Sequence, residues 1–339
     1  MVKKKSPNEP SGLRYLVTGG AGFIGSWLAD RLLADGHEVV VMDDLSTGRL
    51  DNIRHLEDNP RFDYVIESVA NEALLQNVMD DVHAVYHLAS GVGVMSVLES
   101  PVHTIEATLY ATELVLHCAS AANKKVLLTS SSEVYGKGTK VPFSEEDDLM
   151  FGPTTKSRWS YGCSKAIDEF LALAYHREMK LPVVITRLFN TVGPRQVGDY
   201  GMVLPRFVSA AVKGGPIKVY GDGLQSRCFC HVHDTVDALV RLMNCPDADG
   251  KVVNLGSDVE ITINDLAERV RTRVNPKATI ERVPYEKAYG EGFEDLRRRV
   301  PDLQRIHGLI GFKAARTLDD IIDDVAAEIR AKKEKIDKL

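Results

Sequence analysis

Thr18-Gly19-Gly20-Ala21-Gly22-Phe23-Ile24-Gly25-Ser26 follows an apolar run, Leu13 to Val17, and opens an amphipathic stretch containing Trp27, Leu28, Leu32 and Leu33. The order is strand, tight glycine turn, helix. Gly19 permits the turn, Gly22 lets backbone N–H groups approach a pyrophosphate, and Gly25 lets helix pack close to strand. The helix start, with Phe23 and Ile24, supplies oriented donors and a positive dipole for phosphates. About eighteen residues past Gly25, a second apolar run ends in Asp43. A carboxylate there accepts from an adenosine ribose diol and repels a 2′-phosphate, so the expected cofactor is NAD rather than NADP.

The chain of 339 residues has room for one large or two modest domains with an ample core. A net charge of −6 leaves no footprint for nucleic acid or an anionic membrane. Met1-Val-Lys-Lys-Lys-Ser6 is basic, but no apolar region follows it, and Ser6 to Ser11 reads as a tail. No apolar run approaches about 18 residues, so no transmembrane helix is expected. The cysteines (Cys118, Cys163, Cys228, Cys230, Cys245) are odd in number and scattered, which points to reduced thiols and the cytoplasm. Cys228-x-Cys230 lacks zinc spacing and a second ligand pair, so no metal is expected.

Apolar runs and helical patterns then alternate. Strands are predicted at Tyr15–Thr18, Val39–Met42, Phe62–Ile66, Ala84–Ala89, Val126–Ser130 and Val183–Leu188. Helices are predicted at Ser26–Ala34, Glu72–Met79, Val102–Ala121 and Tyr161–Met179. This is an α/β pattern: a Rossmann-type, doubly wound parallel sheet with right-handed crossovers. Residues 12–188, with a return segment at 228–257, form the expected cofactor domain. A smaller C-terminal α/β lobe, 189–227 and 258–330, is expected to hold the substrate. Within it Leu204–Lys213, Ile263–Val274 and Leu318–Ile336 read as helices, and Asp234 as the cap of a helix over Thr235–Met243. Ligands sit beyond the carboxyl ends of such strands. Leu88 and Ala89, at one such end, lack bulk and leave room for the cofactor, while His87 reads as packing beside the sheet.

Another strand end, Ser130-Ser131-Ser132-Glu133, gathers hydroxyls and a carboxylate that are costly to bury unless used or hydrogen-bonded. Tyr161 and Lys165 stand at i and i+4, on one helix face. A nearby cation favours the phenolate, so Tyr161 is a candidate general base, with Ser131 as second partner of the same substrate hydroxyl.

With these motifs the chain resembles the extended short-chain dehydrogenase/reductases that remodel nucleotide sugars on tightly held NAD. The resemblance spans about residues 13 to 328 and rests on the glycine turn, Ser131, Tyr161-x-x-x-Lys165, Arg187-x-x-Asn190-x-x-Gly193-Pro194-Arg195 and Val219-Tyr-Gly-Asp-Gly-x-Gln225-x-Arg227. It implies that Asn190 and Arg227 lie in the nucleotide site, with Arg227 on the diphosphate, as a guanidinium fork suits phosphate. Ser130–Gly136 is similar to UDP-glucuronate decarboxylases. Ser157-Arg-Trp-Ser-Tyr161 is similar to the decarboxylase domain that supplies aminoarabinose precursors and to UDP-apiose/UDP-xylose synthases. Tyr289–Asp295 with Arg299-Val-Pro-Asp302 recurs in that branch and implies Arg299 as a second diphosphate ligand. The chain departs from the family at three places. Thr108-Leu-Tyr-Ala111-Thr112 replaces Asn-x-x-Gly-Thr, Ser68 beside Glu67 replaces an Asp, and Gly91–Leu98 lacks the Tyr and Pro pattern of UDP-xylose synthases.

The resemblance implies oxidation of the sugar 4-hydroxyl by Tyr161, Lys165, Ser131 and NAD to a transient 4-keto sugar. Glu133, Arg227 and the Arg158-Trp159 segment match the decarboxylating branch. The expected reaction is decarboxylation of UDP-glucuronate to a UDP-pentose, with 4-epimerisation of a UDP-sugar as the alternative. A 4,6-dehydratase needs an acid where this chain has Ser132. A homodimer, paired through Val102–Ala121 and Tyr161–Met179, is also implied.

Overall fold

A computed structural model of the chain describes residues 12–91, 100–198, 202–285, 287 and 296–336. The stretch read as a tail at 6–11, residues 92–98 of the Gly91–Leu98 departure and the Tyr289–Asp295 match lie outside the described residues.

The glycine turn joins β1 (Arg14–Thr18) to α1 (Phe23–Ala34), and β2 (Glu38–Asp43) and β3 (Phe62–Ile66) follow on the same side. After α2 (Glu72–Asp80) the chain crosses to β4 (Ala84–His87), α3 (Pro101–Ala121), β5 (Lys125–Ser131), α4 (Ser160–Met179) and β6 (Val183–Leu188). Short pairs come next: β7 (Thr191–Val192), β8 (Ile217–Tyr220), β9 (Ser226–Cys228) and β10 (Cys230–His231). β11 (Lys251–Leu255) lies parallel beside β6, completing a seven-stranded sheet in the order β11-β6-β5-β4-β1-β2-β3. The order reverses between β1 and β4, which opens a crevice at their carboxyl ends.

Alternation along the strands divides the core into two layers. Tyr15, Val17, Val39 and Val41 pack with α1 and with α6 (Val232–Met243). Leu16, Val40 and Met42 face the other way, against Leu75, Leu114, Val115 and Ala172 of α2, α3 and α4. Both faces are covered, so the strands are continuous apolar runs rather than amphipathic ones. Each fully buried Leu or Val in these layers contributes roughly 1.5–3 kcal/mol. A third cluster joins α5 (Val203–Lys213), α7 (Ile263–Val274) and the C-terminal helix Leu318–Ile336 around β8.

One local expectation is corrected. α6 begins at Val232, with His231 as its N-cap accepting from the His233 N–H at 3.0 Å. Asp234 is therefore inside the first turn. Its carboxylate takes the amides of Ala315 and Arg316, at 3.0 and 2.9 Å, and the Arg316 guanidinium. A carboxylate goes where unpaired donors and a cation are offered together, and the 315–316 segment offers both.

Candidate active site

The crevice widens into a cavity of about 1170 Å³. Every site residue named from the sequence lines it, from Gly19 and Asp43 at one end to Arg227 and Arg299 at the other.

At the first end the wall is backbone. Gly19 adopts φ +68°, and a Cβ there would stand 2.8 Å from the Ala89 nitrogen. A Cβ on Gly25 would run into the Gly19 carbonyl oxygen, so helix and turn meet at a distance only glycine allows. Gly22 caps α1 without a side-chain hydrogen bond, which leaves the first amides for a ligand. Asp43 ends β2, its carboxylate accepting from Ala21 N–H at 2.9 Å and Leu45 N–H at 2.8 Å. Burial pushes its pKa up, against the pull of those amides. This is a cradle whose shape and donors fit a dinucleotide.

At the second end the wall is side chains brought from distant segments. A buried hub fixes α4 to the sheet: Arg187 of β6 forks onto Glu169 at 2.7 and 3.0 Å, and Ser130 of β5 donates to the same carboxylate. With α4 so held, the Tyr161 phenol is within hydrogen-bond reach of Ser131 and Ser90. Ser90 is in turn 3.3 Å from Thr108, the residue that departs from the family's Asn. In the protein alone the Tyr161 pKa is raised, by burial and then by the Glu133 and Asp168 charges. The lowering expected for Tyr161 is thus not seen in the protein alone.

Lys165 is almost wholly buried and pairs with Asp168 at 3.2 Å. Glu133 sits between two guanidiniums, 2.6 Å from Arg158 and 2.8 Å from Arg299. Burial opposes its ionisation, yet Arg299 and Arg158 overcome it and hold its pKa near 2. Arg299, expected at the diphosphate, thus stands against Glu133 and 3.5 Å from the Ser132 hydroxyl. Arg227 donates to the Ser226 and Leu296 carbonyls, and Asn190 to the Cys228 carbonyl.

Sequence reasoning did not place Asp168 or the Ser90 hydroxyl in this cluster, and it singled out Arg158 only as part of the segment that matches the decarboxylating branch. Asp168 could have been found, since it follows Lys165 at i+3 on the same helix face. Ser90 and Arg158 reach the site through tertiary contacts that no local spacing encodes.

A family model described as GDP-mannose 4,6 dehydratase matches residues 16–325. The chain is 39% identical to a UDP-N-acetyl-alpha-D-glucosaminuronate decarboxylase of Bacillus cytotoxicus, over 88% of this chain and 92% of that protein. It is 37% identical to UDP-glucuronic acid decarboxylase 1 of Arabidopsis thaliana, over 94% of this chain and 70% of that one. Among solved structures it resembles UDP-glucuronic acid 4-epimerase from Bacillus cereus in complex with UDP-glucuronic acid and NAD. There the TM-score is 0.85 at 26% identity, covering 94% of this chain and 100% of that one.

Proposed function

The chain belongs to the GDP-mannose 4,6-dehydratase family of extended short-chain dehydrogenase/reductases, and on that premise we propose that it is an NAD-dependent decarboxylase of UDP-glucuronate, working through a transient 4-keto sugar and giving a UDP-pentose. The observation that carries this reading is the ionised Glu133 between Arg158 and Arg299. With a pKa near 2, Glu133 cannot protonate a departing hydroxyl at neutral pH, which argues against dehydration. The two guanidiniums beside Glu133 are forked donors of the kind that suits the carboxylate of a hexuronate. Relatives at 33–39% identity are named as decarboxylases of UDP-hexuronates.

In this reading Gly19, Gly22, Phe23, Ile24, Gly25, Leu88, Ala89 and Lys165 hold the cofactor, and Asp43 selects NAD by taking the ribose diol. NAD, when bound, would supply a hydride acceptor for C4 and a positive ring that favours the Tyr161 phenolate. Tyr161 takes the proton of the 4-hydroxyl, and Ser131 and Ser90 orient that hydroxyl. A carboxylate beta to the new carbonyl then leaves as CO2, with the electrons passing into an enolate whose oxygen Tyr161 and Ser131 hold. A proton taken up at C5, then return to C4 of the hydride the cofactor would hold and to its oxygen of the Tyr161 proton, would give the UDP-pentose. Arg158 and Arg299 set the carboxylate's angle to the carbonyl, and Glu133 keeps the two guanidiniums apart and aimed. Asn190 and Arg227, in the 189–227 and 258–330 lobe, take the UDP.

We also read the protein as a cytoplasmic homodimer. The exposed apolar side chains Val102 and Tyr110 on α3 and Ile167 and Phe170 on α4 support pairing with a second copy. All five cysteines are free, which suits a reducing compartment. Sedimentation showing only monomer at micromolar concentration would overturn the dimer.

The deciding experiment incubates the protein with UDP-glucuronate, and separately with UDP-N-acetylglucosaminuronate, and follows the products by NMR. A UDP-pentose with release of CO2 from the first supports the proposal. Turnover of the second alone moves the substrate to the 2-acetamido sugar. UDP-galacturonate without CO2 replaces decarboxylation by 4-epimerisation.

A further inference from the structure

Beneath the reacting end runs a buried chain of polar groups that the mechanism above leaves unused. Thr18, at the end of β1, accepts from the Leu88 and Ala89 amides through its hydroxyl oxygen, at 3.2 and 3.3 Å. Its hydroxyl proton is therefore directed to His87 Nδ1, 2.7 Å away. His87 is wholly buried, and burial with the charge of Lys165 holds its pKa near 3, so it is neutral. A neutral ring that accepts at Nδ1 carries its proton on Nε2, and Nε2 donates to Thr112 at 3.2 Å. The Thr112 hydroxyl, which favours the ionised Asp168 carboxyl when turned towards it, has a competing acceptor in the Thr108 carbonyl at 3.0 Å. Asp168 pairs with Lys165 through Oδ2. Its Oδ1 is buried with no hydrogen-bond partner among the described residues.

We propose that Asp168 is a positioning residue for the reaction: it holds the Lys165 ammonium from below and, by compensating its charge, sets how readily the Tyr161 phenol gives up its proton. This rests on the reading of Tyr161 as the base. A carboxylate so deeply buried is retained only at a cost, because a lone buried charge is expensive and a buried pair is no more stable than an apolar one. Burial raises the Asp168 pKa, while Lys165 and the Thr112 hydroxyl oppose that rise. The ionised carboxylate in turn raises the Tyr161 pKa. The other charges facing this group are accounted for. Glu133 repels the phenolate from the turn after β5 but is tied to Arg158 and Arg299. Glu169, beside Asp168 on α4, is tied to Arg187 of β6. His87 of β4 is neutral, and Ser90 and Ser131 carry no charge. Among the described residues Asp168 is therefore the one carboxylate at the phenol and ammonium whose ion pair is with Lys165 itself. It keeps Tyr161 protonated until a further positive charge enters the cleft.

The test reads the phenol directly, in the full-length protein without substrate. Tyrosine ring carbons are labelled, the Tyr161 signal is assigned by its loss in Tyr161→Phe, and its titration is followed by NMR with NAD present. In Asp168→Asn the Tyr161 titration is expected about one to two pH units lower than in the unaltered protein. Asp168→Glu, which restores the charge, is expected to move it back up. An unchanged or raised titration in Asp168→Asn overturns the proposal. Should that variant not fold, Asp168→Ser, also neutral and smaller, carries the same expectation and the same overturning result. Turnover of Tyr161→Phe reports on the base alone. If that variant stays active, the reading of Tyr161 fails, whereas the titration still decides whether Asp168 controls the phenol.

Discussion

The two ends of the cavity are built by opposite means. At the first end the wall is mostly backbone: a left-handed Gly19, a helix start at Gly22 and a strand ending in the Asp43 carboxylate, all within the 25 residues from 19 to 43. At the sugar end it is made by charged side chains drawn from residues 133, 158 and 299, and these meet only because the chain folds back on itself. A backbone site needs local conformation alone, so short-range spacing encodes it. A side-chain site needs the whole fold before its groups meet, so it can be altered in sequence without disturbing the turn that holds the cofactor. The contrast predicts that changes at one end leave the binding function of the other intact.

The largest effect is expected at Tyr161. Tyr161→Phe removes the proton acceptor and should lower kcat by about 10³- to 10⁴-fold. NAD affinity, measured by fluorescence quenching, should be unchanged because the cradle does not use the phenol. Loss of NAD binding in this variant would break the separation of the two ends.

Glu133→Gln should follow, lowering kcat by about 10²-fold, the scale expected when positioned groups shift by about 1 Å. Arg158 and Arg299 would lose their common counter-charge, and removing one partner of a buried pair destabilises more than the pair itself is worth. The ionised Glu133 also stabilises the fold. Its carboxyl titrates near 2 in the protein against 4.5 ordinarily, so the contribution is present above about pH 4.5 and is lost as pH falls towards 2. The unaltered protein should show this loss in acid unfolding, and Glu133→Gln should not.

How much was legible follows from the same contrast. The glycine turn, Asp43 and the Tyr161 and Lys165 pair are each set by short-range spacing along the chain, and all line the cavity. The parallel sheet was legible because strands buried on both faces leave continuous apolar runs. Arg299 was singled out through a local motif, whereas its ion pair with Glu133 joins residues far apart in sequence and could not be read from it. Asp234 was expected as a cap because the amides it binds, at Ala315 and Arg316, cannot be seen from its own helix.

A smaller effect is expected at Asp43. Asp43→Asn keeps one acceptor but loses the charge, so NAD should bind about tenfold more weakly, the worth of one charge-assisted hydrogen bond. The preference over NADP should narrow, because repulsion of the 2′-phosphate is gone. Decarboxylation at saturating cofactor should be unaffected. Equal affinity of the unaltered protein for NAD and NADP would mean that β2 does not present Asp43 to the ribose.

The smallest effect tests whether the two ends are joined beneath the cavity. Unfolded, His87 takes up a proton as pH falls below about 6.5, whereas in the fold it stays neutral until about 3. Between these values the unfolded chain binds more protons, so stability falls as pH falls. From about pH 7.5 to about 5.5 this group should remove about 1.4 kcal/mol. Denaturant unfolding at both pH values measures it, with His87→Gln as the reference, since glutamine cannot take up the proton. The unaltered protein should lose more stability across that interval than the variant, and the difference isolates His87 from every other titrating group. Equal losses would mean that His87 accepts a proton inside the fold. The directed chain from Thr18 to Thr112 that runs beneath the cavity would then be broken.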